Sequence, residues 1–420
     1  MGIMEKEYFS ILLEVMWCCA IFKAMIRLFF RMLRQVHCRL LYKFFFNFIW
    51  KGWRAANAFK KRHNAGDMFP AFIVFSATNA CNLSCRGCWV AQTDPPEKLT
   101  PEEMDSIICD TKKRGSFFFG ILGGEPLTYP EIFDVIEKHP DCYFQLFTNG
   151  TLITAENAER MRKLGNVTPL ISIEGDEAVS DERRGGDNVY ERTLAGVKRC
   201  HDAGLIIGIA TSVCKSNIDD LVSERFVEKI VELGAHYLWY YIYRPTGEMP
   251  CPELALNEAE ILRLRQFVVD MRVSAPIGIV DAYWDHDGKA LCPGALGLSH
   301  HINAAGDVEF CPVIQFAKDN IRNFGSLSEL FDNSSFLKEF REFTLSKTEG
   351  CILLEDPQAM REFLISQNAD DVTGRNCGFD EVAAMKQLPG HFLPGKEIPE
   401  KSRLYRFAKK NFFFGFGGYG

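Results

Sequence analysis

Between residues 72 and 243 the chain repeats one rhythm: a short apolar, β-prone stretch, then a longer interval of helical character. The stretches fall at 72–76, 117–122, 142–147, 170–173, 205–213 and 236–243. Among the intervals, Thr100-Pro101-Glu102-Glu103 offers an N-cap threonine, proline at the first helical position and a glutamate three residues past the cap. Gly165 and Gly204 fall where helices would end before the next strand. Six strands alternating with helices predict an α/β fold, a parallel sheet with right-handed crossovers that is open or barrel-like. Active sites in such folds gather at the C-terminal ends of the strands. The residues following each stretch are therefore the ones to read for chemistry.

The flanks differ from this middle. Residues 1–62 hold 12 Lys/Arg against 3 Glu, whereas the whole chain of 420 residues carries −7. A basic arm on an acidic body predicts that the arm faces an anionic partner. Lys23, Arg27, Arg31 and Arg34 recur on one helical face. Ile21, Phe22, Met25, Ile26, Phe29, Phe30 and Leu33 occupy much of the rest, and Trp17, Tyr42, Trp50 and Trp53 add the rings that favour membrane interfaces. No window reaches the roughly 18 uncharged apolar residues of a membrane span. Glu14, Lys23 and Arg27 interrupt the apolar run, and it lacks a cleavage site, so it does not read as a signal peptide. The expectation for 1–65 is a basic amphipathic helical arm in the headgroup layer at the cytoplasmic face of the membrane. The competing reading is a helix packed on the body. Nucleic acid is not expected, because Phe and Leu outnumber polar contact residues. Residues 381–420 end in a second basic, aromatic segment, with Lys401, Arg403, Arg406, Lys409 and Lys410 before NFFFGFGGYG.

Directly after the first stretch comes Cys81-Asn-Leu-Ser-Cys85-Arg-Gly-Cys88. Three thiolates on a loop leaving a strand can ligate three irons of a 4Fe–4S cube and leave the fourth open. Structural zinc would need a fourth ligand, and no further Cys or His lies nearby.

The CxxxCxxC spacing resembles that of the radical S-adenosylmethionine (radical SAM) superfamily, and three further motifs agree. Gly123-Gly124-Glu125-Pro126 resembles the GGEP motif whose backbone holds the methionine amino group; Thr148-Asn149-Gly150 ends the third stretch; and Ser172-Ile-Glu-Gly175 precedes Asp181-Glu-Arg-Arg184-Gly. The resemblance implies a partial (β/α)6 TIM-like barrel over 70–280. It also implies cofactor contacts at Gly123, Gly124, Glu125, Asn149, Ser172 and Arg184, the serine on the ribose and the arginine on the carboxylate. The family's usual aromatic residue before the third cysteine is replaced by Gly87, and Trp89 is the candidate substitute beside the adenine. The implied chemistry is reductive cleavage of S-adenosylmethionine to a 5′-deoxyadenosyl radical that abstracts hydrogen from an unactivated carbon. An external electron donor of the flavodoxin or ferredoxin type is implied with it. No catalytic acid, base or relay residue is named by the sequence.

Farther on, Cys292, thirteen residues, Gly306, four residues and Cys311 resemble the opening of the SPASM and twitch extensions, which carry auxiliary clusters. The dense cysteine run of a full SPASM pattern is absent, and only Cys351 and Cys377 remain in 281–380. Four cysteines suffice for one auxiliary 4Fe–4S cluster, with a single zinc on the same thiolates as the rival. The 236–243 stretch places Tyr237, Trp239, Tyr241 and Tyr243 on one face and His236, Leu238, Tyr240 and Ile242 on the other, either of which could line the substrate space. For the substrate, the basic aromatic termini favour a membrane lipid. A peptide or protein maturase is the alternative, and a non-catalytic iron–sulfur scaffold is disfavoured by the intact cofactor motifs.

Overall fold

The computed structural model describes residues 23–412. All six predicted stretches are strands: β1 (Phe72–Ser76), β2 (Phe118–Leu122), β3 (Tyr143–Thr148), β4 (Val167–Ser172), β5 (Gly208–Val213) and β6 (Tyr237–Ile242). They lie side by side in chain order and pair in parallel. A short β7 (Gly278–Val280) extends the sheet beyond β6. At the opposite edge β8 (Ser299–Ile302) pairs in parallel with β1, and β9 (Val308–Glu309) pairs antiparallel with β8. The sheet thus crosses the boundary expected near residue 281, because the C-terminal region supplies its last two strands.

The sheet is strongly curled. Gln145 Nε2 on β3 donates to Tyr237 Oη on β6 at 3.1 Å, and Thr168 Oγ1 lies 3.0 Å from the same hydroxyl. Strands three apart in a flat sheet would be separated by about 14 Å, so this contact requires barrel-like closure. Tyr237, Trp239 and Tyr241 pack inside with Phe147, Leu170, Ala210 and Val280. Leu238, Tyr240 and Ile242 face the helices in the main core. The predicted alternation of β6 holds, and the Tyr237–Tyr243 set is the inner one.

Helices cover the outside. The Thr100 side chain accepts from Glu103 N while Glu103 reaches back to the Thr100 N–H, which closes the predicted capping box on the helix Pro101–Lys113. Gly165, at φ +77°, caps the helix Ala155–Leu164 in the left-handed region that a side chain would strain.

The N-terminal arm forms a plate under the barrel. It comprises α1 (23–35), α2 (Cys38–Lys43), a π-helical turn Phe44–Trp50 and α3 (Lys51–Asn64). Arg31 donates to Pro276 O at 2.8 Å, Val231 O at 3.0 Å and Ala235 O at 2.8 Å, just before β7 and β6 begin. His37 N donates to Gly204 O at 2.9 Å, below β5. Asn47 Nδ2 donates to Pro140 O and Cys142 O, both at 3.0 Å, below β3. Phe48 packs on Phe118 at 5.5 Å, at the start of β2. Ala55, Ala56 and Phe59 pack on Ala71 and Leu298, which precede β1 and β8. The arm therefore passes beneath the N-terminal ends of the strands from one edge of the sheet toward the other. Body packing and an outward apolar face coexist on the same helices. One expectation is corrected: Arg31 does not present its charge to an anionic partner with Lys23, Arg27 and Arg34, because three carbonyls at loop and helix ends draw its guanidinium inward.

Among the described residues no helix is long and apolar enough to cross a membrane. The C-terminal helix Arg403–Asn411 lies against α3, where Lys60 Nζ donates to Lys410 O at 2.7 Å. Its Lys409, which the sequence places among the cations of a basic, aromatic tail suited to an interfacial or partner contact, is buried instead. It joins Asp281 (3.3 Å), Glu400 (3.7 Å), Arg265 and Arg272 in a closed ionic cluster. Trp17, Ile21, Phe22 and the last residues of NFFFGFGGYG lie outside the described residues.

Candidate active site

The loop after β1 presents Cys81, Cys85 and Cys88 at the C-terminal end of the barrel. Backbone N–H groups of Leu83 and Val90 point at the sulfurs of Cys81 and Cys88. Burial pushes the Cys81 thiol up to about 11, so a thiolate here requires a cation to replace the proton. Three thiols on one loop, with amide donors aimed at two of them, are a donor set suited to an iron–sulfur cube.

The second strand end clamps this loop. Gly124 N donates to Thr78 O and Glu125 N to Ala80 O, both at 2.8 Å. A Cβ on Gly124 would stand 2.3 Å from Ala80 O, and one on Gly123, at φ +153°, 2.4 Å from Thr78 O. The glycines are required because two backbone segments touch. Glu125 is wholly buried and accepts from Asn149 N (2.7 Å), Thr148 Oγ1 (2.8 Å) and Leu127 N (3.1 Å). It acts as a positioning residue, holding the third strand end. Asn149 Nδ2 in turn donates to Asn82 Oδ1 at 2.9 Å, tying that strand end to the cysteine loop.

Ser172 ends β4, half-buried. Arg184 Nη1 lies 4.0 Å from Cys85 Sγ, and its Nη2 donates to Glu174 Oε1 at 2.5 Å. Burial works against the Arg184 charge, but Glu174 and Cys85 outweigh it and hold the guanidinium protonated. Arg183 is committed elsewhere. It donates to Glu174 Oε2 at 3.1 Å and Ser212 O at 2.8 Å, and its guanidinium stacks over Tyr243. Of the two adjacent arginines, Arg184 is the one aimed at the cysteine loop. Glu174, which sequence reasoning passed over, orients both; a buried acid two residues past Ser172 was the available signal.

Gly87 has a structural explanation. A Cβ there would lie 2.4 Å from Tyr243 Oη, so the tyrosine that follows β6 fills the space beside the third cysteine. Trp89 is half-buried and packs edge-on against His301, whose ring is fixed by Glu309 Oε2 (2.6 Å) and Ser76 Oγ (2.8 Å). Tyr243, as well as Trp89, is thus an aromatic neighbour of the loop. Inside the barrel, Trp239 stacks on Tyr241 with ring centres 5.4 Å apart. Its buried indole N–H has no partner among the described residues.

A second group of thiols lies over the same end. The thiols of Cys292, Cys311 and Cys351 are mutual electrostatic neighbours, and burial raises Cys292 to about 12 and Cys311 to about 11. Backbone N–H groups of Gly294 and Ala295 point at the Cys292 sulfur, and that of Val313 at the Cys311 sulfur. Arg244 Nε donates to Cys351 Sγ at 3.2 Å, and its guanidinium stacks over Tyr283. Of the consecutive residues Tyr243 and Arg244, the first therefore stands against Gly87 of the cysteine loop and the second on Cys351 of this group. Cys377 is placed differently from its three predicted companions. Its Sγ donates to Glu381 Oε1 at 3.2 Å, and Arg375 and Asp371 are its other charged neighbours. A carboxylate against a thiol disfavours the thiolate that ligation needs.

Residues 75–232 match the model described as the Radical SAM superfamily. The AdoMet-dependent heme synthase of Methanosarcina barkeri is 28% identical over 301 residues, covering 65% of this chain and 85% of that protein. The sporulation killing factor maturation protein SkfB of Bacillus subtilis is 25% identical over 278 residues, covering 62% of this chain and 66% of that protein. In fold, the chain resembles SuiB of Streptococcus suis, solved with its precursor peptide SuiA, at a TM-score of 0.57 and 18% identity, over 71% of this chain and 72% of that one. The lipid substrate expected from the termini has no support in these relatives. The superfamily uses a 4Fe–4S cluster with S-adenosylmethionine, and the donor set at Cys81, Cys85 and Cys88 fits the cluster. The motifs at successive strand ends, the curled parallel sheet and the family match lead to one conclusion: residues 75–232 of this chain form a Radical SAM domain.

Proposed function

We propose that this radical SAM enzyme modifies a peptide held between the cysteine loop and the second thiol group. The observation that carries the reading is the placement of two consecutive residues, Tyr243 against Gly87 of the cysteine loop and Arg244 on Cys351 of the second thiol group. The similarity to SkfB and the shared fold with SuiB support a peptide as the occupant. Cys81, Cys85 and Cys88 would hold the catalytic cluster, with Arg184 and Ser172 turned to S-adenosylmethionine. Cys292, Cys311 and Cys351 would hold an auxiliary cluster on three thiolates. When bound and reduced, the catalytic cluster supplies the electron that splits the sulfonium and yields a 5′-deoxyadenosyl radical. The chain's own residues orient and enclose. Glu174 fixes Arg184, Glu125 fixes the third strand end, and the inner aromatics exclude water from the reacting carbon. An external donor of the flavodoxin or ferredoxin type supplies the electron. The test uses deuterated cell extract separated into peptide, lipid and porphyrin fractions, each incubated with reduced enzyme and unlabelled S-adenosylmethionine. Deuterium should enter 5′-deoxyadenosine from the peptide fraction. Transfer from the lipid or porphyrin fraction alone would overturn the reading.

We also propose peripheral attachment of the protein to an anionic membrane surface through the arm, at the cytoplasmic face. Its support is the row of exposed aromatic and aliphatic side chains on α1, α2 and the π-helical turn, interleaved with cations.

A further inference from the structure

We propose that the plate under the barrel docks on an anionic bilayer with the active-site mouth turned away from the lipid. The substrate then enters from the aqueous side. This inference rests on the attachment reading above and adds its orientation.

The two ends of the barrel are chemically opposite. The cysteine loop, Gly124, Asn149, Glu174 and Arg244 all follow the C-terminal ends of strands. Every inward contact of the plate described above is made below the N-terminal ends. Strands of six residues separate the two ends by about 20 Å of sheet. The bilayer-facing surface and the reacting atoms therefore lie on opposite sides of the molecule.

The outer face of the plate has the composition of an interfacial surface. Phe29 is 58% exposed, Tyr42 59%, Phe45 52% and Trp50 50%. Phe30, Leu33, Phe46 and Trp53 are exposed with them. Such a density of exposed rings is rare on a monomer surface and marks a contact. Charge selects the partner. Residues 23–66 contain no Asp or Glu, and of their Lys/Arg residues Lys23, Arg27, Arg34, Arg39, Arg54 and Lys61 are exposed. Two copies of the chain pressed together here would confront like charges, whereas an anionic headgroup layer would neutralise them. Aromatic rings with a polar edge belong at that depth. The C-terminal helix also lies against α3.

The test is flotation of reconstituted full-length protein on phosphatidylglycerol–phosphatidylcholine vesicles, with hydrogen–deuterium exchange on the bound fraction. The protein should float with anionic vesicles, and exchange should slow in 25–54 while 81–93 and 244–251 remain unchanged. Exposed Arg27 and Arg34 are outside the site. Each cation near an anionic surface contributes about 1 kcal/mol, so R27A/R34A should bind roughly thirtyfold more weakly with an unaltered cluster spectrum. Protein that floats but is protected at 81–93 and 244–251 would overturn the orientation and leave attachment standing. Protein that does not float would overturn attachment itself. Protection of 25–54 without vesicles, growing with protein concentration, would make this face a contact between copies and overturn the proposal.

Discussion

Glu174 shows how much of the site depends on residues that touch no cofactor. Its two carboxylate oxygens hold two consecutive guanidiniums, and only that division of labour lets Arg184 point toward Cys85 while Arg183 braces β5. The sequence made the thiols of the cysteine loop legible, because their spacing is a local property. It could not place Trp89, whose neighbour His301 on β8 is distant in sequence, whereas the charged neighbours of Cys377 all lie within six residues of it. Tyr243 was legible only as one ring of an aromatic strand, until Gly87 supplied the matching vacancy. Cys377 gives the residue-scale prediction. Reconstituted wild-type protein should hold about eight irons, two cubes of four. Cys377→Ala should keep that number, whereas Cys351→Ala should lose up to four and the spectrum of one cluster. Equal losses in the two variants would return Cys377 to the ligand set.

At the scale of elements, strand positions followed from hydrophobic runs and turn signals, and the structure moved their ends by no more than a few residues. The described part of the arm folds as a plate, which its sequence pattern does not specify. Amphipathicity specifies that one face is apolar, and it says nothing of which carbonyls wait at the ends of other elements to capture Arg31. The GGEP segment is an element-level device too, since its backbone is clamped to the cysteine loop by two hydrogen bonds. Gly124→Ala forces a methyl group to 2.3 Å from a backbone oxygen that cannot swing aside. The expected cost is about 1–3 kcal/mol of stability, measured by thermal unfolding. Cleavage of S-adenosylmethionine should fall more steeply than stability, because the loop that carries the thiols is displaced. A variant with wild-type cleavage would mean that the clamp is slack.

Across the whole molecule, the C-terminal segment is fastened to the barrel by the ionic cluster of Asp281, Glu400, Arg265, Arg272 and Lys409. Nothing in the sequence marks these five as partners, because they meet only after the chain has returned to the end of β7. Burial alone would raise the Asp281 and Glu400 carboxyls. Arg272 above all, with Lys409 and Arg265, holds both below their ordinary range. Their folded values are depressed, so their stabilising contribution is complete above the unfolded carboxylate range near pH 4 and is lost as pH falls through the folded values. Acid should therefore release the C-terminal segment. Asp281→Asn leaves three buried cations facing one carboxylate. It should cost about 3–5 kcal/mol at neutral pH and flatten the acid limb of the stability profile. An unchanged melting temperature in Asp281→Asn would show that the cluster fastens nothing.

The plate has one more consequence. With the N-terminal ends of the strands covered, whatever reaches the cysteine loop must come by the opposite rim, where Tyr243 and Arg244 stand, or by the unpaired edges of the sheet at β7 and β9. A surface change in the arm is therefore felt at that loop only through the length of the strands between them.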